Sequence, residues 1–121
     1  MIRSYKDLKV YQNAYSLMME LFWLTKKFPM NERFSLIDQI RRSSRSTTVN
    51  IVEGWSKRRH ENIFKRHLID SIGSCEETKL WIDVSYDCGY ILADQHQCYI
   101  NKSEEVSKML NGLLQSWCTF K

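Results

Sequence analysis

The chain of 121 residues has almost no punctuation: one proline, Pro29, and four glycines, Gly54, Gly73, Gly89 and Gly112. That scarcity argues against many short strands and tight turns and favours a few long helices. Nowhere do about 18 apolar residues run together, the length a membrane-spanning helix needs. The opening Met1-Ile2-Arg3-Ser4-Tyr5-Lys6-Asp7 lacks an apolar signal core, which makes the cytoplasm the expected compartment. Cys75, Cys88, Cys98 and Cys118 are scattered without Cys-x-x-Cys spacing, as reduced thiols would be. A metal cluster of Cys88, His96 and Cys98 would rest on loop chemistry alone.

Catalytic signatures are missing too. A carboxylate-bridged di-iron bundle needs Glu-x-x-His pairs, but Lys57, Phe64 and Ala93 stand three positions before His60, His67 and His96. There is no glycine-rich phosphate loop, no His-Glu-x-x-His and no Gly-x-Ser-x-Gly. His67 and Asp70, three apart, read as a surface pair. The expectation is therefore a protein that is not an enzyme and has no catalytic residue, cofactor or metal.

What remains is helical pattern and localised charge. With 43% hydrophobic and 26% charged residues the composition is that of an ordered chain, and its length suits a single domain over residues 1–121. In the first helix, expected from about Tyr5 or Asp7 with Ser4 as its cap, Val10, Ala14, Leu17, Leu21, Leu24 and Phe28 keep a bundle seam. Tyr11, Tyr15, Met18 and Phe22 form a second apolar line beside it. A helix apolar nearly all round is buried on more than one side, so self-association is expected.

Phe28-Pro29-Met30 ends that helix, and Asn31 can cap the next, whose seam is Phe34, Ile37, Ile40, Ser44, Thr47 and Ile51. Gly54 is expected to stop or bend it, and Trp55 to His60 to form the connection. Phe64, Leu68, Ile72, Cys75, Ile82 and Tyr86 mark a third helix, with Gly89 as its left-handed terminator. Asp94 can cap a fourth, with Tyr99, Val106, Met109, Leu113 and Phe120 on its seam. Four such rods joined by short turns predict an all-α, antiparallel up-down four-helix bundle.

Specific stretches resemble a known family. These are Ser4-Tyr5-Lys6-Asp7-Leu8-x-Val10-Tyr11-Gln12, the Thr25-Lys26-Lys27-Phe28-Pro29 exit, and the block from Gln39-x-Arg41-Arg42 to Asn50-Ile51-x-Glu53-Gly54. Gly73-Ser74-x-x-Glu77 and Gly89-Tyr90-Ile91 match as well. Together they resemble the four-helix bundle proteins first noticed as products of intervening sequences in 23S ribosomal RNA genes. The resemblance implies a bundle that assembles into a ring-like homopentamer and has no established catalytic residues. A related family member, the accessory variability determinant of diversity-generating retroelements, is a basic barrel that binds nucleic acid and a reverse transcriptase. The resemblance therefore also implies RNA or DNA, and a protein such as a reverse transcriptase, as partners. Arg45 departs from the family pattern where an aliphatic residue is common, and Thr48 where a proline often interrupts the helix.

The charge points the same way. The formal net charge is +4, but residues 41–67 alone carry +6: Arg41, Arg42, Arg45, Lys57, Arg58, Arg59, Lys65 and Arg66 against Glu53 and Glu61. Arg41 and Arg45, four apart, share a helix face, with Arg42 beside them. Several cations within reach of one phosphate backbone are what electrostatic binding of nucleic acid requires. The Ser/Thr run from Ser43 to Thr48 reads as a close helix contact with hydroxyls bonded to the preceding turn, the alternative being the lining of a narrow polar passage at an oligomer axis. Asn50 and Glu53, if they face inward, form a polar network with partners such as Arg41 or Arg42. The first functional expectation is an oligomeric bundle that binds RNA or an RNA–protein complex through the eight cations. The alternative is a protein-interaction scaffold whose basic strip docks an acidic partner.

Overall fold

A computed structural model describes residues 1–119. Within them lie four α-helices and no strand: α1 (Lys9–Thr25), α2 (Leu36–Ser56), α3 (Glu61–Asp87) and α4 (Ala93–Ser116). Each helix packs on its neighbours in the chain, and α1 closes the circuit on α4. No described helix is long and apolar enough to cross a membrane.

Two of the expected helix starts prove to be 3-10 turns. Ser4 does cap, with its Oγ accepting from Lys6 N at 3.1 Å while Asp7 accepts from Ser4 N at 3.2 Å, but the box closes the 3-10 turn Tyr5–Asp7. The helix proper begins four residues after Tyr5, at Lys9. Asn31 likewise falls inside a 3-10 turn, Met30–Glu32, so α2 starts at Leu36 and Phe34 is left 85% exposed. At the far end of α3, Gly89 has φ +81° and Tyr90 N bonds to Ser85 O at 2.9 Å, which terminates the helix as expected.

The core has two apolar clusters. One holds Val10, Ala14, Ile51, Trp55, Phe64, Leu68 and Leu110; the other holds Leu17, Leu21, Phe28, Ile37, Ile40 and Ile82. Burying each large side chain contributes about 1.5–3 kcal/mol. Phe120, expected on the α4 seam, lies outside the described residues.

On α2 the two clusters are separated by the hydroxyl run, whose Ser43, Ser44, Thr47 and Thr48 are all buried. Ser44, Thr47 and Thr48 donate to carbonyls one turn back at 2.8–3.1 Å. Thr78 donates to Ser43 Oγ at 2.8 Å and Ser71 to Thr47 O at 2.7 Å, stitching α3 to α2. Small side chains leave room for the backbones to approach, and every one of these hydroxyls has a partner, so their burial carries little penalty. The partners on α3 descend as those on α2 climb: Ser43 with Thr78, Ser46 with Ser74, Thr47 with Ser71, Asn50 with His67.

Gly54 does not stop α2, which continues through Trp55 to Ser56. Its missing side chain serves α3 instead. A Cβ at Gly54 would lie 2.8 Å from His67 Cβ and 3.2 Å from Phe64 Cδ1. The glycine lets the start of α3 close onto the end of α2, and this sets the shape of the turn between them.

Candidate nucleic-acid interface

The four-residue turn between α2 and α3 is held by backbone hydrogen bonds. Lys57 N bonds to Gly54 O and His60 N to Lys57 O, both at 2.9 Å. Behind it Trp55, Phe64 and Trp117 pack edge-to-face, with ring centroids 4.9–6.2 Å apart. Arg58 lies over Trp55, its Cζ 4.4 Å from the ring centroid, and donates to Trp55 O at 3.0 Å. Trp55 is therefore the seat of a cation rather than an open platform for bases, since it is itself buried.

The segment after α4 folds back onto this turn. Thr119 Oγ1 donates to Arg58 O at 2.7 Å, and Thr119 N donates to Glu61 Oε1 at 2.9 Å. That backbone donor, with Lys65 beside it, holds the Glu61 carboxyl below its usual range. Lys65 Nζ sits 3.4 Å from Glu61 Oε2. Arg59 and Arg66 are exposed and make no ion pair with a described residue, although Arg66 shares a shallow depression with Asp70.

Asn50 connects this turn to the hydroxyl run. Its Nδ2 donates to Ser46 O at 3.0 Å, so its Oδ1 accepts from His67 Nδ1–H at 3.0 Å. His67 Nε2 is then left to accept from the Lys57 ammonium at 3.2 Å. The partner of Asn50 is thus a histidine on α3 rather than Arg41 or Arg42, which lie about 12–14 Å back along the same helix. Glu53 is exposed; its backbone carbonyl accepts from Ser56 Oγ at 2.6 Å, and its carboxylate makes no hydrogen bond or ion pair among the described residues.

The other three cations sit elsewhere. Arg45 is about 18 Å of helix rise from Lys57. Arg41 is half-buried against α1: its Nε donates to Thr25 Oγ1 at 3.0 Å and its Cζ lies 4.7 Å from the Phe22 ring centroid. Burial, and then the charge of Arg45, hold its pKa below the ordinary guanidinium value. Arg42 faces the α3 side, beside Ser46, Ser74 and Glu77, and reaches Asp38 at 4.0 Å. The structure therefore groups Lys57, Arg58, Arg59, Lys65 and Arg66 at one end of the bundle. It divides Arg41 and Arg45 from Arg42 on opposite sides of α2.

No metal-binding group of three or more His, Cys, Asp or Glu side chains occurs among the described residues. His96 instead meets Asp83 at 2.7 Å, and Cys88 and Cys98 are exposed.

Comparison with curated proteins gives no match. Among solved structures, the chain is similar to a protein of unknown function from the S23 ribosomal protein family of Bacteroides thetaiotaomicron. The TM-score is 0.79 at 21% identity, over 88% of this chain and 96% of that one, a likeness of fold. The family model described as 23S rRNA-intervening sequence protein matches residues 6–112, and the chain belongs to that family.

Proposed function

We propose that this chain is a non-enzymatic, self-associating, antiparallel up-down bundle that binds RNA through phosphate contacts at its α2–α3 end. The observation that carries this is the gathering of Lys57, Arg58, Arg59, Lys65 and Arg66 around one turn, where the one paired acid among the described residues is Glu61. Cations so placed reach successive phosphates of one backbone, and no base-reading motif accompanies them, so binding should follow charge rather than sequence. The family's name and its link to ribosomal RNA genes support RNA as the polyanion. The descending order of α2–α3 partners supports the antiparallel arrangement.

Self-association is supported by the apolar residues left outside, among them Ile69 and Leu80. They are three turns apart on one side of α3, where a neighbouring subunit would cover them. The same exposed residues favour a protein scaffold as the second reading.

Retention of RNA by the purified protein at low ionic strength tests the first reading. Binding should weaken steeply with salt, and absence of any salt-sensitive retention would refute it. Pull-down from lysate with and without nuclease separates the two readings, since an RNA-mediated association disappears on digestion.

A further inference from the structure

Away from the α2–α3 end, α1 carries exposed aromatics interleaved with cations. Trp23 is 58% exposed. Lys26 Nζ lies 4.8 Å from its ring centroid and 4.9 Å from that of Phe22, while Arg41 lies over the Phe22 ring. Beside them Met18, Met19, Phe22 and Arg45 line a cleft of about 230 Å³. Among the described residues no acid forms an ion pair with Lys26, Arg41 or Arg45. Glu20, which shares the depression on the α4 side of Trp23, is taken by Lys102. The face thus joins an exposed indole, with Lys26 over its ring, to cations that have no ion pair among the described residues.

Each candidate occupant makes a different demand on this face. A duplex offers phosphates but keeps its base faces stacked inside, so Trp23 would gain nothing from it. A second copy docked about a two-fold axis would set Lys26 and Arg45 against their own counterparts, which costs repulsion, and in a ring it would have to answer them with acids from a different face. An unpaired strand satisfies both parts of the face, with a base on the ring and phosphates on the flanking cations.

We infer that the α1–α2 face around Trp23 is a second contact that takes single-stranded RNA, with a base stacked on the indole and phosphates held by Lys26 and Arg45. The inference rests on the proposed RNA binding but uses different side chains, so the two can fail separately.

The test compares a short fluorescent oligouridylate with an RNA duplex of the same length at low salt. The proteins are the intact chain, Trp23→Ala, Trp23→Phe and the double variant Arg59→Glu/Arg66→Glu. Trp23→Ala should weaken the single strand by about tenfold, the loss of one stacked base, and leave the duplex unchanged. Trp23→Phe should restore most of that loss, whereas Arg59→Glu/Arg66→Glu should weaken both ligands. Unchanged oligouridylate affinity in Trp23→Ala overturns the inference and leaves the proposed function standing. Dissociation of an oligomer by Trp23→Ala with single-strand affinity intact also overturns it, because a second copy then covers the face. If neither RNA binds the intact chain, both readings fall.

Discussion

The two ends of the bundle are finished with opposite chemistry. Where α1 meets α2 and α3 meets α4, the acids are answered from within: Glu32 accepts from Ser35 at 2.6 Å and from Tyr90 at 2.7 Å, and Asp83 meets His96. At the α2–α3 end only Glu61 answers among the described residues, and Arg59 and Arg66 are exposed with no ion pair to a described acid. A charge partnered inside the protein serves folding. An unpartnered group of like charges raises the local potential and awaits a ligand. Arg58 and Arg59 show the two uses side by side: the Arg58 guanidinium is seated on Trp55, while Arg59 is exposed and makes no ion pair with a described residue.

The comparison breaks most visibly through charge reversal. Arg59→Glu/Arg66→Glu should weaken RNA binding at low salt by tenfold or more, on the order expected when two phosphate contacts become repulsive. Glu32→Gln at the other end should leave it unchanged; filter retention of the two variants side by side checks this. Next in size is Gly54→Ala, which forces a methyl against His67 and should cost about 1–3 kcal/mol in denaturant unfolding. Arg41→Ala should cost about 1–2 kcal/mol by the same measurement, losing the Thr25 bond and the Phe22 contact. It should leave duplex RNA binding nearly intact, because that guanidinium is spent on α1.

The smallest effect belongs to the latch at the far end. The Ser35 and then the Tyr90 hydrogen bonds hold Glu32 below the usual carboxylate pKa, so its contribution is present above that range and lost as pH falls through the lowered value. The Glu32 bond pushes Tyr90 from 10.0 up to about 12, so the tyrosine's contribution is present below pH 10 and lost as pH rises towards 12. Melting temperature against pH should therefore fall less at both extremes in Tyr90→Phe than in the parent chain.

Much of the fold could be read from periodicity, because apolar residues three and four apart are what a buried helix face requires. Ile37, Ile40, Ile51, Phe64, Leu68, Ile82 and Val106 are buried as their spacing implies. Failures came where a residue has two uses. Ser4 and Asp7 make a capping box whether a 3-10 turn or an α-helix follows, and Gly54 looks like a stop unless His67 is known to press on it. Thr25 rather than Leu24 fills the seam because its hydroxyl bonds to Leu21 O and accepts from Arg41.

The candidate site was legible only as charge. Composition counts eight cations alike, but which of them an aromatic ring or a neighbouring hydroxyl has claimed depends on helices distant in sequence. Phe22 holds Arg41 across nineteen positions, and His67, seventeen positions on, supplies the partner of Asn50.

The most direct test is the salt dependence of RNA binding in the intact chain and in Arg59→Ala/Arg66→Ala. If these two arginines contact phosphates, the slope of log affinity against log salt should become shallower by about 1.4–1.8, the loss of two released counterions. Parallel lines with the same slope would contradict the placement of phosphate at the α2–α3 end.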